Sequence, residues 1–375
     1  IYMGVDARRD HSMRVPNPQL AESIGAPDAC TNCHNDRSQK WAGQAIDYWL
    51  KSKSLTRQKQ MHFGETFHAA RQGLPEAHQS LIEIANNISF TPIVRSTALE
   101  LLNNYPDQDS FQVALDQLKD SDPLVRLGAL RTLEFLPQQQ RWKPIAPLLN
   151  DSAAAVRHEA TRLLLGSSPA NRADKEKLQS GIEHYMASLM ISGDMPLGQV
   201  NIGNAYRSQR LFTKAHDAYK KALDLDPFNA PAMINLADTY RAQGHDRKSL
   251  QELLVANEKI PDNAMLRHSL GLAQIRAKQT EDALKNLLLA VTLAPDNVRY
   301  SYIYAIALNG RGQSEAAIKE LQRALKYGTN NRDILLALVT INRDRGDNKN
   351  AKAFAKQLID LFPNDKALRG LYNSL

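Results

Sequence analysis

The sequence predicts an all-α protein: a short N-terminal segment that carries both cysteines, followed by a superhelix of helical hairpins. Three observations predict it. Val-Arg pairs recur at Val94/Arg95, Val125/Arg126 and Val156/Arg157, 31 residues apart each time. Pro227, Pro261, Pro295 and Pro363 fall on a 34-residue grid, with Thr329 in the one empty slot. Cys30 and Cys33 are the only cysteines, and His34 follows directly.

In chain order, residues 1–35 are expected to be irregular, because Pro16, Pro18, Gly25 and Pro27 interrupt any helix there. A helix is predicted over 38–50, capped by Asp36 or Ser38, with Trp41, Ala45 and Tyr48/Trp49 on one side. A second is predicted over 56–72, closed by Gly73 and Pro75. Residues 1–78 form the N-terminal segment.

Residues 79–166 repeat as "TPIVRSTALELL", "DPLVRLGALRTL" and "AAAVRHEATRLL". The valine, alanine and leucine positions fall on one helical stripe. A single hairpin cannot bury such a stripe, so neighbours must stack. The block resembles HEAT-like repeats of the short type. The recurring arginine is expected to make structural hydrogen bonds between repeats. Residues 167–193 read as a connecting helix or linker.

The 34-residue grid then runs through 194–375. Gly203, Tyr206, Ala215, Tyr219, Ala222 and Pro227 hold the key positions of its first unit, and Ala237, Tyr240, Ser249, Leu253, Ala256 and Pro261 hold those of the second. Small residues let paired helices approach, large ones fill the gap, and proline ends the second helix. This pattern resembles the tetratricopeptide repeat, in five units closed by a capping helix over 366–375. The fifth unit departs most, with Val339 and Asn342 replacing the usual small and aromatic residues. His184, in the connecting stretch, and His216, His245 and His268, inside these repeats, read as ordinary surface residues.

Cys-x-x-Cys-His is the attachment pattern of c-type haem. Two thiols one turn apart can each bond a vinyl group, and the next histidine supplies the proximal imidazole. Cys30 and Cys33 are therefore expected to carry the thioethers and His34 to bind the iron. Two other chemistries use such thiols. A structural zinc site wants four ligands, and no second Cys/His pair exists here. A thioredoxin-like dithiol belongs beside a βαβ pattern, which the flanks lack.

The flanks carry a resemblance. Residues 1–42, "IYMGVDARRDHSMRVPNPQLAESIGAPDACTNCHNDRSQKWA", together with "HFGETFHAARQGLPEA" and "PIVRSTALELL" farther on, resemble segments of multihaem cytochromes c that also carry helical repeats. The resemblance implies that the natural protein extends upstream of Ile1 and carries further haems there. Only one attachment motif lies in this chain, so a relay of haems within it is not implied. Candidate sixth ligands are His11, His62, His68, Met3, Met13 and Met61. His11 and His62 match family segments. With an upstream haem, His11 would serve that one and leave His62 for the haem on Cys30 and Cys33. His68 is a further candidate, since an antiparallel second helix returns toward the motif. Arg8, Arg9 and Arg14 are candidate propionate partners, and Trp41 and Tyr48/Trp49 candidate cover for the haem edge or the helical hairpin.

The formal charge is +7. No Lys/Arg block accompanies it, so nucleic acid is not expected as a partner. No apolar run is long enough to span a membrane. The sequence thus predicts an extracytoplasmic electron-transfer cytochrome rather than a catalyst. Periplasm or cell exterior follows from thioether attachment. Its partners are expected to be other cytochromes or redox proteins, polypeptides held by the tetratricopeptide groove, or further copies in an oligomer or filament. Two alternatives stand beside it: a subunit of a multihaem reductase acting on a small nitrogen or sulfur oxyanion, and an assembly protein in which the haem is structural.

Overall fold

The structure is a computed structural model that describes residues 16–53, 62–328, 330–362 and 365–375. No strand occurs among them. The chain divides into two compact units, residues 1–69 and 70–375.

The first unit departs from expectation at once. Pro18–Ile24 is a helix, α1, and the residues read as breakers are its boundary signals. Asn17 caps it by accepting from the Leu20 N–H, Pro18 occupies the first turn, and Gly25 ends it at φ 66°. Helix α2 (Gln39–Ser52) starts as predicted at Ser38, whose hydroxyl accepts from the Trp41 N–H. Its buried face is not the aromatic one. Ala42 and Gly43 are buried, and a Cβ on Gly43 would meet the Gln19 side chain of α1 at 2.6 Å. Small residues let α1 close in, and Tyr48 and Trp49 are left 72% and 60% exposed. Helix α3 (Gly64–Arg71) begins later than predicted. His62 and Phe63 precede it, with the His62 Nδ1 accepting from the Gly64 N–H at 3.0 Å. Residues 54–61 lie outside the described residues.

The second unit opens with helices α4 (Glu76–Asn86), α5 (Pro92–Leu101), α6 (Gln108–Gln117), α7 (Pro123–Thr132), α8 (Gln138–Ile145) and α9 (Ala154–Leu164). The recurring arginines lie near the starts of α5, α7 and α9; the first two tie neighbouring repeats together, and the third bonds only within its own repeat. Arg95 donates to the Ala85 carbonyl at 3.0 Å, then reaches forward to Gln117 and to Asp120 at 2.6 Å. Arg126 grips Asp151 with two bonds of 2.7 Å and also donates to the carbonyls of Asp120 and Ser121. Arg157 donates to the carbonyls of Asp151 and Ser152. Asp120 and Asp151 are themselves 31 residues apart, so Arg95 and Arg126 each pair with the acid of the next repeat, whereas the slot one period on holds Ile182 and leaves Arg157 without such a partner.

Helix α10 (Arg172–Met190), capped by Asn171, leads into five hairpins: α11 (Pro196–Ser208) with α12 (Phe212–Leu225), α13 (Ala230–Ala242) with α14 (Asp246–Lys259), α15 (Ala264–Arg276) with α16 (Thr280–Leu293), α17 (Val298–Gly310) with α18 (Ser314–Ala324), and α19 (Arg332–Asp344) with α20 (Asn348–Leu361). Helix α21 (Lys366–Asn373) closes the chain. The 34-residue grid acts through four devices. Asn229, Asn263 and Asn331 cap the first helices through side-chain oxygens, and Asp365 does the same for α21. Pro227, Pro261 and Pro295 follow the ends of second helices. Turns between paired helices pass through a left-handed residue at Arg210, Gly244, Lys278, Gly312 and Gly346. Last, each hairpin packs a small residue against a large one. A Cβ on Gly203 would lie 2.4 Å from the Tyr219 ring, and one on Gly271 would lie 2.7 Å from Leu287. Ala237 with Leu253 and Ala305 with Leu321 repeat the pair, all four buried. In the fifth hairpin the sizes are exchanged, with buried Val339 on the first helix and buried Ala355 on the second. Asn342 is buried too, and donates to the Leu338 carbonyl at 2.7 Å.

Candidate functional site

The Cys30–His34 turn lies between α1 and α2. The Cys30 carbonyl accepts from the Cys33 N–H at 3.2 Å and from the His34 N–H at 2.9 Å, which closes the motif into one helical turn. Arg37 N–H then donates to the His34 carbonyl at 3.0 Å. Cys30 is half-buried, Cys33 exposed, and the two sulfurs are not joined. His34 is exposed, with its ring centroid 5.1 Å from that of Trp41, over which the Arg37 guanidinium lies at 5.7 Å.

Asp28 organises this turn, and the motif reading passes over it. Its buried carboxylate accepts from the Cys30 N–H at 2.8 Å, the Thr31 N–H at 3.1 Å and the Thr31 hydroxyl at 2.6 Å. Burial pushes the carboxyl up, but the bonds from Thr31 and Cys30 outweigh it and hold it below its ordinary value. The Cys30 thiol is pushed up, first by burial and then by the Asp28 charge. Gln39 donates to the Ala26 carbonyl at 2.7 Å and ties the start of α2 to the same loop. The sequence signal was available: an aspartate two before a turn residue, with threonine one further on, is an Asx turn.

These residues fit a covalently held haem. Two unjoined thiols and an imidazole share one turn near the surface, and Tyr48 and Trp49 of α2 present uncovered apolar surface in the same unit. Cys30 and Cys33 would hold the porphyrin and His34 the iron. The sixth ligand is a different matter. His11, Met3, Met13 and Met61 lie outside the described residues, as do Arg8, Arg9 and Arg14. His62 is exposed and stacks on Phe63 at 4.8 Å, and its Nδ1 is taken by the Gly64 N–H. Ligation through Nε2 would move the ring proton to Nδ1 and break that bond. His68 lies half-buried on α3. Among the described residues, no three His, Cys, Asp or Glu side chains converge into a group that could hold a metal ion.

The repeat histidines divide. His184 and His245 are exposed as predicted. His268 is not: it is 8% exposed and stacked on Tyr300 at 4.6 Å. Burial and then the Arg299 charge push its pKa down to about 4. His216 is half-buried against Tyr240 at 4.3 Å. His268 occupies a grid position held elsewhere by Val200, Ile234, Tyr302 and Leu336; that of His216 is held by Leu250, Leu284 and Ile318 in the next three units and by Lys352 in the fifth.

Comparisons with known proteins agree with this architecture. The HEAT repeats family matches residues 78–165. Tetratricopeptide repeat families match residues 198–229, 218–251 and 304–366. The chain is thus an all-helical HEAT and tetratricopeptide repeat protein over these stretches. No curated protein matches it. Among solved structures, one described as MamA protein is 20% identical, covering 45% of this chain and 92% of that one with a TM-score of 0.39. YrrB, described as a TPR protein with an unusual peptide-binding site, is 19% identical over 52% of this chain and 100% of that one, TM-score 0.40. PilF of Pseudomonas aeruginosa is 18% identical over 59% of this chain and 99% of its own, TM-score 0.40. Among the described residues, no helix is long and apolar enough to cross a membrane.

Proposed function

We propose that this chain is an extracytoplasmic docking or assembly protein whose repeats hold protein partners and whose N-terminal unit carries one haem c. The observation that supports it most is a surface turn of two thiols and an imidazole on the same chain as two kinds of helical repeat. Hairpins of this kind spend their apolar stripes on one another and leave edges and outer faces for partners. Cys30 and Cys33 carry the thioethers, His34 the iron, and Asp28 holds the turn. When bound, the haem supplies a one-electron redox couple. Electron transfer to or from a docked cytochrome or other redox protein is the second reading. The exposure of Cys33 and His34 favours it, because a haem at the surface lies within reach of a partner.

The test is export of the chain in a host that matures c-type cytochromes. The expected result is one haem added to the intact mass, a peroxidase-positive band, and loss of both in Cys30→Ala/Cys33→Ala. Bare thiols in properly matured material would remove the haem and leave a repeat adaptor. Carbon monoxide added to the reduced protein then separates carrier from reductase, since an open sixth position binds it and a closed one does not.

A further inference from the structure

The turn after α13, the turn after α15 and the start of α12 enclose a groove of about 1060 Å³ on the second unit. Its charged lining is one-sided: Arg247, Lys248 and Arg276 face it, against the single carboxylate of Asp246. The Arg276 Nε reaches Asp246 only at 4.0 Å, so little of that charge is cancelled. Cations beside the groove add to this charge, Lys220 near His216 and Arg241 near Arg276. His216 is held below its ordinary value by burial, then by Lys220 and Lys248 and more weakly by His245, with Asp217 opposing. Arg276 is lowered by burial and then by Arg241, with Asp238 and Asp246 opposing. The His216 Nε2 is buried with no hydrogen-bond partner. Gln243, Gln251 and Gln279 add amide donors and acceptors to the lining.

We propose that this groove docks an acidic, extended polypeptide segment of a partner protein, its carboxylates on Arg247, Lys248 and Arg276 and its main chain on the glutamine amides. The volume far exceeds a single oxyanion and suits several residues of chain. A nucleic-acid strand fits less well. Strands of that kind are held by stacking bases on open aromatic faces. The lining has no Trp or Phe; its one tyrosine, Tyr240, is 7% exposed and already covered by the Lys248 ammonium at 4.2 Å, and of the two imidazoles only that of His245 is exposed.

The groove belongs to the docking half of the proposed function and not to its haem half. A chain without haem that binds the peptide leaves this inference standing. A haem-loaded chain that ignores the peptide overturns this inference alone.

The experiment is fluorescence anisotropy of the full chain with a labelled decaglutamate peptide at low and moderate salt. Wild type is expected to bind in a salt-sensitive way. Arg247→Glu/Lys248→Glu is expected to bind at least tenfold more weakly, and Lys319→Glu/Lys326→Glu, an equal charge change on another hairpin, to bind like wild type. Absence of binding, equal loss in both variants, or a labelled oligothymidylate that competes at equal affinity overturns the proposal. Should the groove variant lose helicity, the wild-type His216 resonance decides instead. Peptide is expected to raise its titration midpoint, and an unmoved midpoint at saturating peptide refutes the site.

Discussion

His268 is a histidine in a place built for an apolar side chain, and its chemistry follows from that. It is neutral in the folded protein down to about pH 4, because burial and then Arg299 disfavour its charged form. In the unfolded chain it takes up a proton near its ordinary value of 6.5. Between those values the unfolded state holds more protons, so stability falls as pH drops through that window. At pH 5 the loss is of the order of 2 kcal/mol relative to pH 7. His268→Leu, which restores the apolar character of the neighbouring repeats, is expected to remove that dependence. Thermal melts of both proteins at pH 7 and pH 5 measure it, and parallel losses in the two would sink the idea. A second residue-scale effect sits in the turns. Arg210 and Lys278 hold φ of 60° and 61°, where the equivalent residues are Gly244, Gly312 and Gly346. Left-handed backbone costs a side-chain-bearing residue roughly 1–2 kcal/mol, and glycine returns part of this as unfolded-state entropy. Lys278→Gly is therefore expected to stabilise by about 0.5–1 kcal/mol, and Gly244→Lys to destabilise by a similar amount, both read from urea titrations.

At the scale of elements, the sequence was legible wherever a rule acts within one turn or one period. The Val-Arg recurrence gave the inter-repeat role of Arg95 and Arg126 because a fixed period puts the same side chain at the same interface each time. Its other half, the acids Asp120 and Asp151, obeys the same spacing and could have been read with it. Val339 looks like a departure only when the first helix is read alone; Ala355 opposite it shows that hairpin packing conserves summed size rather than its division between helices. Helix α1 stayed hidden because its start and stop residues are also those of loops. The thiol turn was legible from local spacing. A sixth ligand for the proposed haem was not, since it would depend on which distant segment approaches. The strongest single rung is the Arg126–Asp151 pair, whose side chains are 11% and 6% exposed. Asp151→Asn leaves a buried guanidinium without its counter-charge and is expected to cost about 3 kcal/mol. Arg126→Met/Asp151→Asn removes that unpaired charge and is expected to cost less than the single change. Denaturant unfolding tests the order, and a double variant weaker than Asp151→Asn would rule out the unpaired-charge explanation.

For the whole molecule, the two compact units lead to a statement about where a perturbation stops. The repeats bury their own cores and exchange their own ion pairs, each hairpin with its neighbours, so their stability is a sum of local and nearest-neighbour terms. The thiol turn draws its hydrogen bonds from Asp28 and from its own backbone, and Gln39 ties its loop to α2; all lie in the first unit. Cys30→Ala/Cys33→Ala is therefore expected to lower amide protection over residues 16–53 and 62–69 of matured protein, and to leave α11 to α20 unchanged. Asp151→Asn is expected to do the reverse, loosening α7 to α9 while the thiol turn keeps its protection. Hydrogen exchange with peptide-level resolution reads both patterns in one experiment on each variant. A haem that served as a staple for the entire chain would instead spread the cysteine effect into the 34-residue hairpins, and that spread would contradict a stability set by local and nearest-neighbour contacts.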